Sequence, residues 1–232
     1  MLKKEGFNGR VCRKKPYINE INRRRRLQFA REHVDKEKSW WDNVIFADES
    51  KFNVFGSDGQ QYVWRKKNEE LTKKNRLPIE NHGGGNVMLW GCMATGGVGE
   101  LVFIDKKMDQ HVYLNIMRSN LIQSAESLGI KDSFKYYQDK HTAHNVRLWL
   151  LDNCPKVIQT PAQSPDLNPI ENLWEELNRK IRQTPITSKT VLKQRLTEEW
   201  KKISTQYTQK LTRSMPRCLR AVLSQKEYST KY

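Results

Sequence analysis

Apolar residues along the chain change from strand-like runs to helix-like spacing as the sequence proceeds. Short continuous apolar runs such as that from Val44 to Ala47 are typical of strands buried on both faces. We expect strands at 40–50, 61–65, 86–94, 100–104, 134–139 and 156–159. Apolar residues at helical spacing predict helices at about 23–34, 110–128, 144–151, 169–181, 188–203 and 207–225. This order of elements predicts an α/β domain with a mixed central sheet flanked by helices.

The segment 163–174 shows how one of these helices begins. Asn168 is suited to the N-cap position and Pro169 to the first helical position. The helix has one apolar side, formed by Ile170, Leu173, Trp174, Leu177 and Ile181. Glu171 lies in the first turn, beside this apolar side. Two interpretations stay open: Glu171 is a metal ligand at the edge of the core, or a capping-box residue that reaches back to the N-cap.

Two aspartates, Asp48 and Asp139, each follow an apolar run of the strand type. A carboxylate at the end of a buried strand is costly unless it is paired, hydrogen-bonded or bound to a metal, although a turn-forming role would also explain Asp48. If Glu171 joins these two aspartates, the three carboxylates repel one another and require a cation. Ligation by oxygen alone selects Mg²⁺ or Mn²⁺, and two such ions promote in-line displacement at a phosphodiester. The pattern predicts a metal-dependent nuclease or strand-transfer enzyme.

The composition adds a partner to this prediction. A formal net charge of +16 over 232 residues indicates a polyanion partner, with nucleic acid as the first candidate and a merely solubilising lysine excess as the alternative. The run Arg23, Arg24, Arg25 and Arg26 suits phosphate contacts or a nuclear import signal, and also suits a solvated helix face. We expect nonspecific DNA contacts from this run and from Arg65, Lys66, Lys67, Lys73 and Lys74.

The four cysteines are scattered without a CxxC pair, which argues against a zinc site or a disulfide framework. Their spacing favours a reducing intracellular compartment. The sequence has no apolar run long enough to span a bilayer, so we expect no membrane partner. With the basic character of the chain, these features lead us to expect a nuclear protein.

Several segments, in order along nearly the whole chain, resemble the Tc branch of the Tc/mariner superfamily of DNA transposases. These segments are 48–50, 62–67, 82–85, 88–92 and 163–174. The resemblance implies an RNase H-like fold and a DD-E catalytic triad of Asp48, Asp139 and Glu171. It also implies two Mg²⁺ or Mn²⁺ ions, no small-molecule cofactor, and DNA partners in the form of transposon ends and a TA target. A homodimer is a further expectation.

The same resemblance predicts a division of the chain into three parts. We expect a basic linker and helix at 1–38, which resembles the end of a missing DNA-binding region, a catalytic domain at 39–186, and C-terminal helices packed on it at 187–232. The family pattern after the second aspartate has three more residues than 138–142 of this chain, which removes up to about 10 Å of reach. Two hypotheses follow: a transposase that cuts and joins DNA, and a catalytically impaired remnant that binds DNA nonspecifically or self-associates.

Overall fold

A single mixed sheet of five strands forms the centre of the computed structural model, which describes residues 18–55, 85–105, 107–138 and 143–224. The strands are β1 (Val44–Asn53), β2 (Asn86–Ala94), β3 (Gly97–Ile104), β4 (Lys135–Gln138) and β5 (Lys156–Gln159). Their order across the sheet is β3-β2-β1-β4-β5. The first three form an antiparallel meander, whereas β4 and β5 run parallel to β1. The predicted mixed sheet is confirmed.

Helices cover both faces of this sheet. They are α1 (Glu20–His33), α2 (Lys38–Asp42), α3 (Gln110–Ile116), α4 (Ile122–Ser127), α5 (His144–Asn153), α6 (Pro169–Ile181), α7 (Lys189–Lys201), α8 (Thr205–Thr212) and α9 (Met215–Ser224). A π-helical turn, Met117–Leu121, joins α3 to α4, and a 3₁₀ turn, Pro165–Leu167, precedes α6. Helices α1, α6, α7 and α9 share one core with the sheet, and α3, α4 and α5 share the core on the opposite face.

Side-chain alternation along β1 assigns its residues to the two cores. Val44 and Phe46 lie in the core beneath α6, whereas Ile45 and Ala47 lie in the core beneath α3 to α5. Because both faces are covered, the strand reads as a continuous apolar run, as expected for a central strand.

The segment 40–50, predicted as one strand, begins differently. Residues 38–42 form α2, and β1 runs from residue 44 to residue 53. Aromatic residues favour strands, but tertiary contacts override this preference at Trp41. Its side chain is buried in the helical conformation and packs against Phe46, with the ring centroids 6.3 Å apart. Asp48 therefore does not end the strand, because pairing with β2 continues as far as Asn53.

The segment 207–225, predicted as one helix, contains the end of α8 and all of α9. The break is explained by Pro216, which is tolerated only in the first turn of a helix because it lacks a backbone N–H and its ring clashes with the preceding turn. The predicted strand at 61–65 lies outside the described residues. None of the helices in the described ranges is long and apolar enough to cross a bilayer.

The terminal helices belong to the same core as the sheet. Phe29 and Ala30 of α1 are buried beside Leu219 and Val222 of α9, and Trp200 of α7 lies in the same cluster. The proposed boundaries after residues 38 and 186 stay predictions.

Candidate active site

Asp48 lies where the neighbours of β1 change. The parallel pairing with β4 ends at Phe46 and Tyr137, whereas the antiparallel pairing with β2 continues and places Asp48 opposite Gly91. By alternation, the Asp48 side chain shares the face of the sheet that carries Phe46 and is covered by α6. A carboxylate is thereby placed at the edge of the core, next to the opening between two central strands.

The first turn of α6 is fixed against this part of β1. The Asn168 side chain accepts a hydrogen bond from the Ile170 N–H at 3.4 Å and donates one to the Ala47 carbonyl oxygen at 3.4 Å. The predicted N-cap is confirmed, and it also ties the helix to the residue before Asp48. The N–H of Asn168 donates to the Pro165 carbonyl oxygen at 3.0 Å, so the donor that a capping box would use is already engaged.

Trp174 holds α6 close to the sheet. Its ring stacks on Trp200 with centroids 5.1 Å apart, and it lies directly over Gly91. A Cβ at Gly91 would come within 2.6 Å of the Trp174 ring, so only glycine admits this approach. Because Gly91 pairs with Asp48, the close approach brings the start of α6 to the level of that aspartate.

The carboxyl groups of Asp48 and Glu171 lie close enough together for the charge of Glu171 to act on Asp48. The pKa of Asp48 is raised from 3.8 to about 8, mainly by burial and then by the negative charges of Glu171 and Glu49. Without a cation, the Asp48 carboxyl group therefore stays mostly protonated at neutral pH. A divalent cation relieves the same repulsion, and the donor atoms are the carboxylate oxygens that Mg²⁺ and Mn²⁺ prefer.

The sequence and fold can now be compared with known proteins. A family described as DDE superfamily endonuclease matches residues 43–193, and a helix-turn-helix family described as Transposase matches residues 1–35. The Tc1 transposase of Caenorhabditis elegans is 38% identical over 100% of this chain and 85% of its own length. The Tcb1 transposase of Caenorhabditis briggsae is 37% identical with the same coverage. The chain belongs to the Tc/mariner family of DDE transposases.

Solved structures show that this transposase has the RNase H-like fold. The Mos1 mariner paired-end complex with Mn superposes with a TM-score of 0.84 at 18% identity, covering 99% of this chain and 70% of that one. The Mos1 paired-end complex with the left transposon end gives a TM-score of 0.83 at 18% identity, with the same coverage. The predicted fold and family are confirmed. DDE transposases use divalent metal ions, and Mos1 structures are known with Mn and with Mg.

The third predicted carboxylate, Asp139, lies outside the described residues, as do five predicted DNA-contact residues: Arg65, Lys66, Lys67, Lys73 and Lys74. Within the described ranges no group of three or more His, Cys, Asp or Glu residues forms a metal cluster. Of the three predicted carboxylates, the structure brings Asp48 and Glu171 together.

The end of β4, immediately before Asp139, is fixed by residues that the sequence analysis did not identify. The Tyr113 hydroxyl donates to the side-chain oxygen of buried Gln138 at 2.7 Å. The Thr160 N–H and hydroxyl both donate to the Gln138 carbonyl oxygen, at 3.3 and 3.2 Å. Apolar patterning does not reveal these contacts, because they join polar atoms from three separate elements.

One predicted DNA-contact residue has a different role. Arg26 is fully buried, and its guanidinium donates two 2.8 Å hydrogen bonds to the Asp166 carboxylate. Arg24 and Arg25 are exposed and Arg23 is half-buried. Assigning Arg26 to DNA was wrong, because consecutive residues on a helix point in different directions and residue 26 points into the core. Its helical spacing from Asn22 and Ala30, which are also buried, is the signal that reveals this.

Proposed function

We propose that this transposase cleaves transposon-end DNA and joins it to a target, using Asp48, Asp139 and Glu171 to hold two Mg²⁺ or Mn²⁺ ions. The observation that carries the proposal is the close carboxyl pair of Asp48 and Glu171, one on the central strand and the other at the start of α6. Two carboxylates held close together at the edge of a core are suited to bind a hard cation such as Mg²⁺.

The strand register supports Asp139 as the third ligand. Phe46 of β1 pairs with Tyr137 of the parallel strand β4. Asp48 follows Phe46 by two residues and shares its face of the sheet, and Asp139 follows Tyr137 by two residues in the sequence. Phe46 and Tyr137 both lie in the core beneath α6, which is the face that carries Glu171.

In this proposal the residues of the chain position the reacting groups. When bound, the ions would activate the attacking oxygen and stabilise the leaving oxygen of an in-line phosphodiester displacement. Asp48 would be held by a strand paired on both sides up to residue 46, and Glu171 by a helix anchored through Asn168 and Trp174. Such anchoring matters because a misplacement of about 1 Å in a reacting geometry costs about a hundredfold in rate.

The DNA partner is supported by the relatives and by charge. The Mos1 complex contains a left transposon end, and by analogy we propose transposon ends and a TA target for this chain, acting as a homodimer in the nucleus. The net charge of +16 favours association with DNA, and Arg24 and Arg25 are exposed for phosphate contacts.

The test is a calorimetric titration of the whole chain with Mn²⁺. Saturable binding is expected in the wild type and should be lost in both Asp48→Asn and Glu171→Gln. Asp139→Asn should weaken binding if that residue is the third ligand. Glu175→Gln is the matched control, because Glu175 is exposed one turn further along the same helix and should leave binding unchanged.

Calorimetry examines the carboxylates directly, whereas a cleavage assay also requires recognition of a particular DNA end. Absence of Mn²⁺ binding in the folded wild type would refute the proposal and favour the alternative of a catalytically impaired remnant. Equal binding in the wild type and in Glu171→Gln would remove Glu171 from the site.

A further inference from the structure

Three lysines from distant parts of the chain surround one aromatic ring at the end of the sheet opposite the carboxylate pair. The Nζ atoms of Lys36, Lys135 and Lys156 lie 5.9, 5.1 and 5.8 Å from the centroid of the Trp40 ring. Lys135 and Lys156 are the first residues of β4 and β5 and pair with each other in register. We call these three lysines and Trp40 the lysine cluster.

The lysine cluster concentrates positive charge without an acidic partner. In the described residues, no carboxylate forms an ion pair with any of these three ammonium groups. Partial burial and the neighbouring charge of Lys156 both lower the pKa of Lys135. Like charges held this close are unfavourable in the isolated chain, and an anion would relieve their repulsion.

Two members of the lysine cluster, Lys135 and Trp40, are anchored to the rest of the fold. The Lys135 ammonium donates to the Trp40 carbonyl oxygen at 3.3 Å, and the Lys135 N–H donates to the Asn43 carbonyl oxygen at 2.8 Å. Trp40 is held edge-to-face by Trp41 at 4.7 Å and by His33 at 5.6 Å. Trp40 and the Lys135 amine are therefore fixed in place, and the exposed Lys36 and Lys156 amines lie around the same ring.

From this arrangement, and resting on the DNA partner proposed above, we propose that the lysine cluster binds the phosphate backbone of duplex DNA, at a site separate from the carboxylate pair. Lys36 and Lys156 are exposed, so the amines face an open surface rather than enclosing a small anion. Duplex DNA carries one negative charge per about 1.7 Å of its axis, which suits several amines on one surface. Because cations lie over the Trp40 ring, we infer contact with phosphates rather than stacking on bases.

The position of the lysine cluster indicates which part of the DNA it contacts. Val44 pairs with Lys135, and Asp48 lies four residues further along β1, a distance of roughly 13 Å. The lysine cluster thus lies at the amino ends of the parallel strands, whereas Asp48 lies beyond the point where the parallel pairing of β1 with β4 ends. It would hold duplex away from the reacting phosphate and contribute affinity rather than chemistry.

The test compares two triple variants of the full chain that lose the same charge. One variant replaces Lys36, Lys135 and Lys156 by Gln. The matched control replaces Lys189, Lys201 and Lys210 by Gln, all three of which are exposed on α7 and α8. Binding to a labelled duplex of arbitrary sequence is measured over a range of salt concentrations. In the first variant the negative slope of log K against log[salt] should become shallower by about 2 to 3. The affinity should fall by about tenfold or more near 0.1 M salt.

Several results separate this proposal from its alternatives. Equal losses in the two triple variants would show that only net charge matters and would overturn it. A lower melting temperature with unchanged DNA affinity would assign the lysines to support of Trp40 and would also overturn it. Loss on one duplex sequence but not on an unrelated one would contradict phosphate contact. Mn²⁺ binding should be unchanged in the first variant, so this test is independent of the metal-site proposal.

Discussion

The buried ion pair of Arg26 and Asp166 makes a sharp prediction about what holds the active-site helix in place. Arg26 of α1 is fully buried, and the Asp166 side chain is 5% exposed. Asp166 lies in the 3₁₀ turn that leads into α6, five residues before Glu171. Replacing Arg26 by Met keeps the aliphatic bulk of the side chain and removes both 2.8 Å hydrogen bonds to the carboxylate.

The expected cost is large because the charge of Asp166 stays in the core after its bidentate partner is lost. Removing one member of a buried pair typically costs about 3–5 kcal/mol. Asp166 keeps other contacts, so we expect about 3 kcal/mol, at the lower end of that range. Against a total stability of about 5–15 kcal/mol for a native domain, such a loss is readily measured.

Urea denaturation of Arg26→Met, Asp166→Leu and the double variant provides the measurement. Each single variant should be strongly destabilised, and the double variant should recover much of the loss because an apolar pair replaces both charges. Arg179→Met is the matched control, since Arg179 pairs with Glu176 on the exposed side of α6 and should change stability little. A double variant as unstable as the sum of the two single variants would refute this account.

Two further predictions concern the carboxylate pair and the helix above it. The metal-free protein should lose stability as the pH rises from about 4 to about 8, by at most about 1.4 kcal/mol per pH unit, because folded Asp48 keeps a proton that the unfolded chain releases near 3.8. Thermal unfolding of Asp48→Asn should lack this component, and an unchanged slope would exclude Asp48 as its source. Gly91→Ala should cost about 1–3 kcal/mol in urea denaturation, because the new Cβ overlaps Trp174, whereas Gly96→Ala meets only ordinary contacts. A neutral Gly91→Ala would contradict the close packing of α6 on the sheet.

The strands were the most predictable part of the fold. The predicted segments 86–94 and 156–159 coincide with β2 and β5, because burial on both faces leaves a continuous apolar signal. The short helix α2 was not predicted, since Trp40 and Trp41 have strand-forming side chains and owe their helical conformation to tertiary contacts.

Two carboxylates of the candidate site could be predicted from the sequence, whereas their alignment could not. Asp48 and Glu171 were identified from residue type and position, and the structure brings them together. Their alignment depends on Gly91, whose missing side chain lets Trp174 approach the sheet. A single glycine in an apolar strand gives no sign of the helix it will accommodate, because that helix is formed by residues distant in sequence.

Local charge runs proved a poor guide to which basic side chains reach the surface, for a geometric reason. Four consecutive residues of a helix cover its whole circumference, so a run such as 23–26 must direct at least one side chain toward the core. Arg26 is that residue, and its partner Asp166 is 140 positions away. The lysine cluster shows the converse, because its three lysines are far apart in the sequence and two of them, Lys135 and Lys156, meet through the sheet register. The basic surface of this transposase is therefore defined by strand pairing as much as by sequence runs, and substitutions chosen from runs alone would include a core residue and omit the lysine cluster.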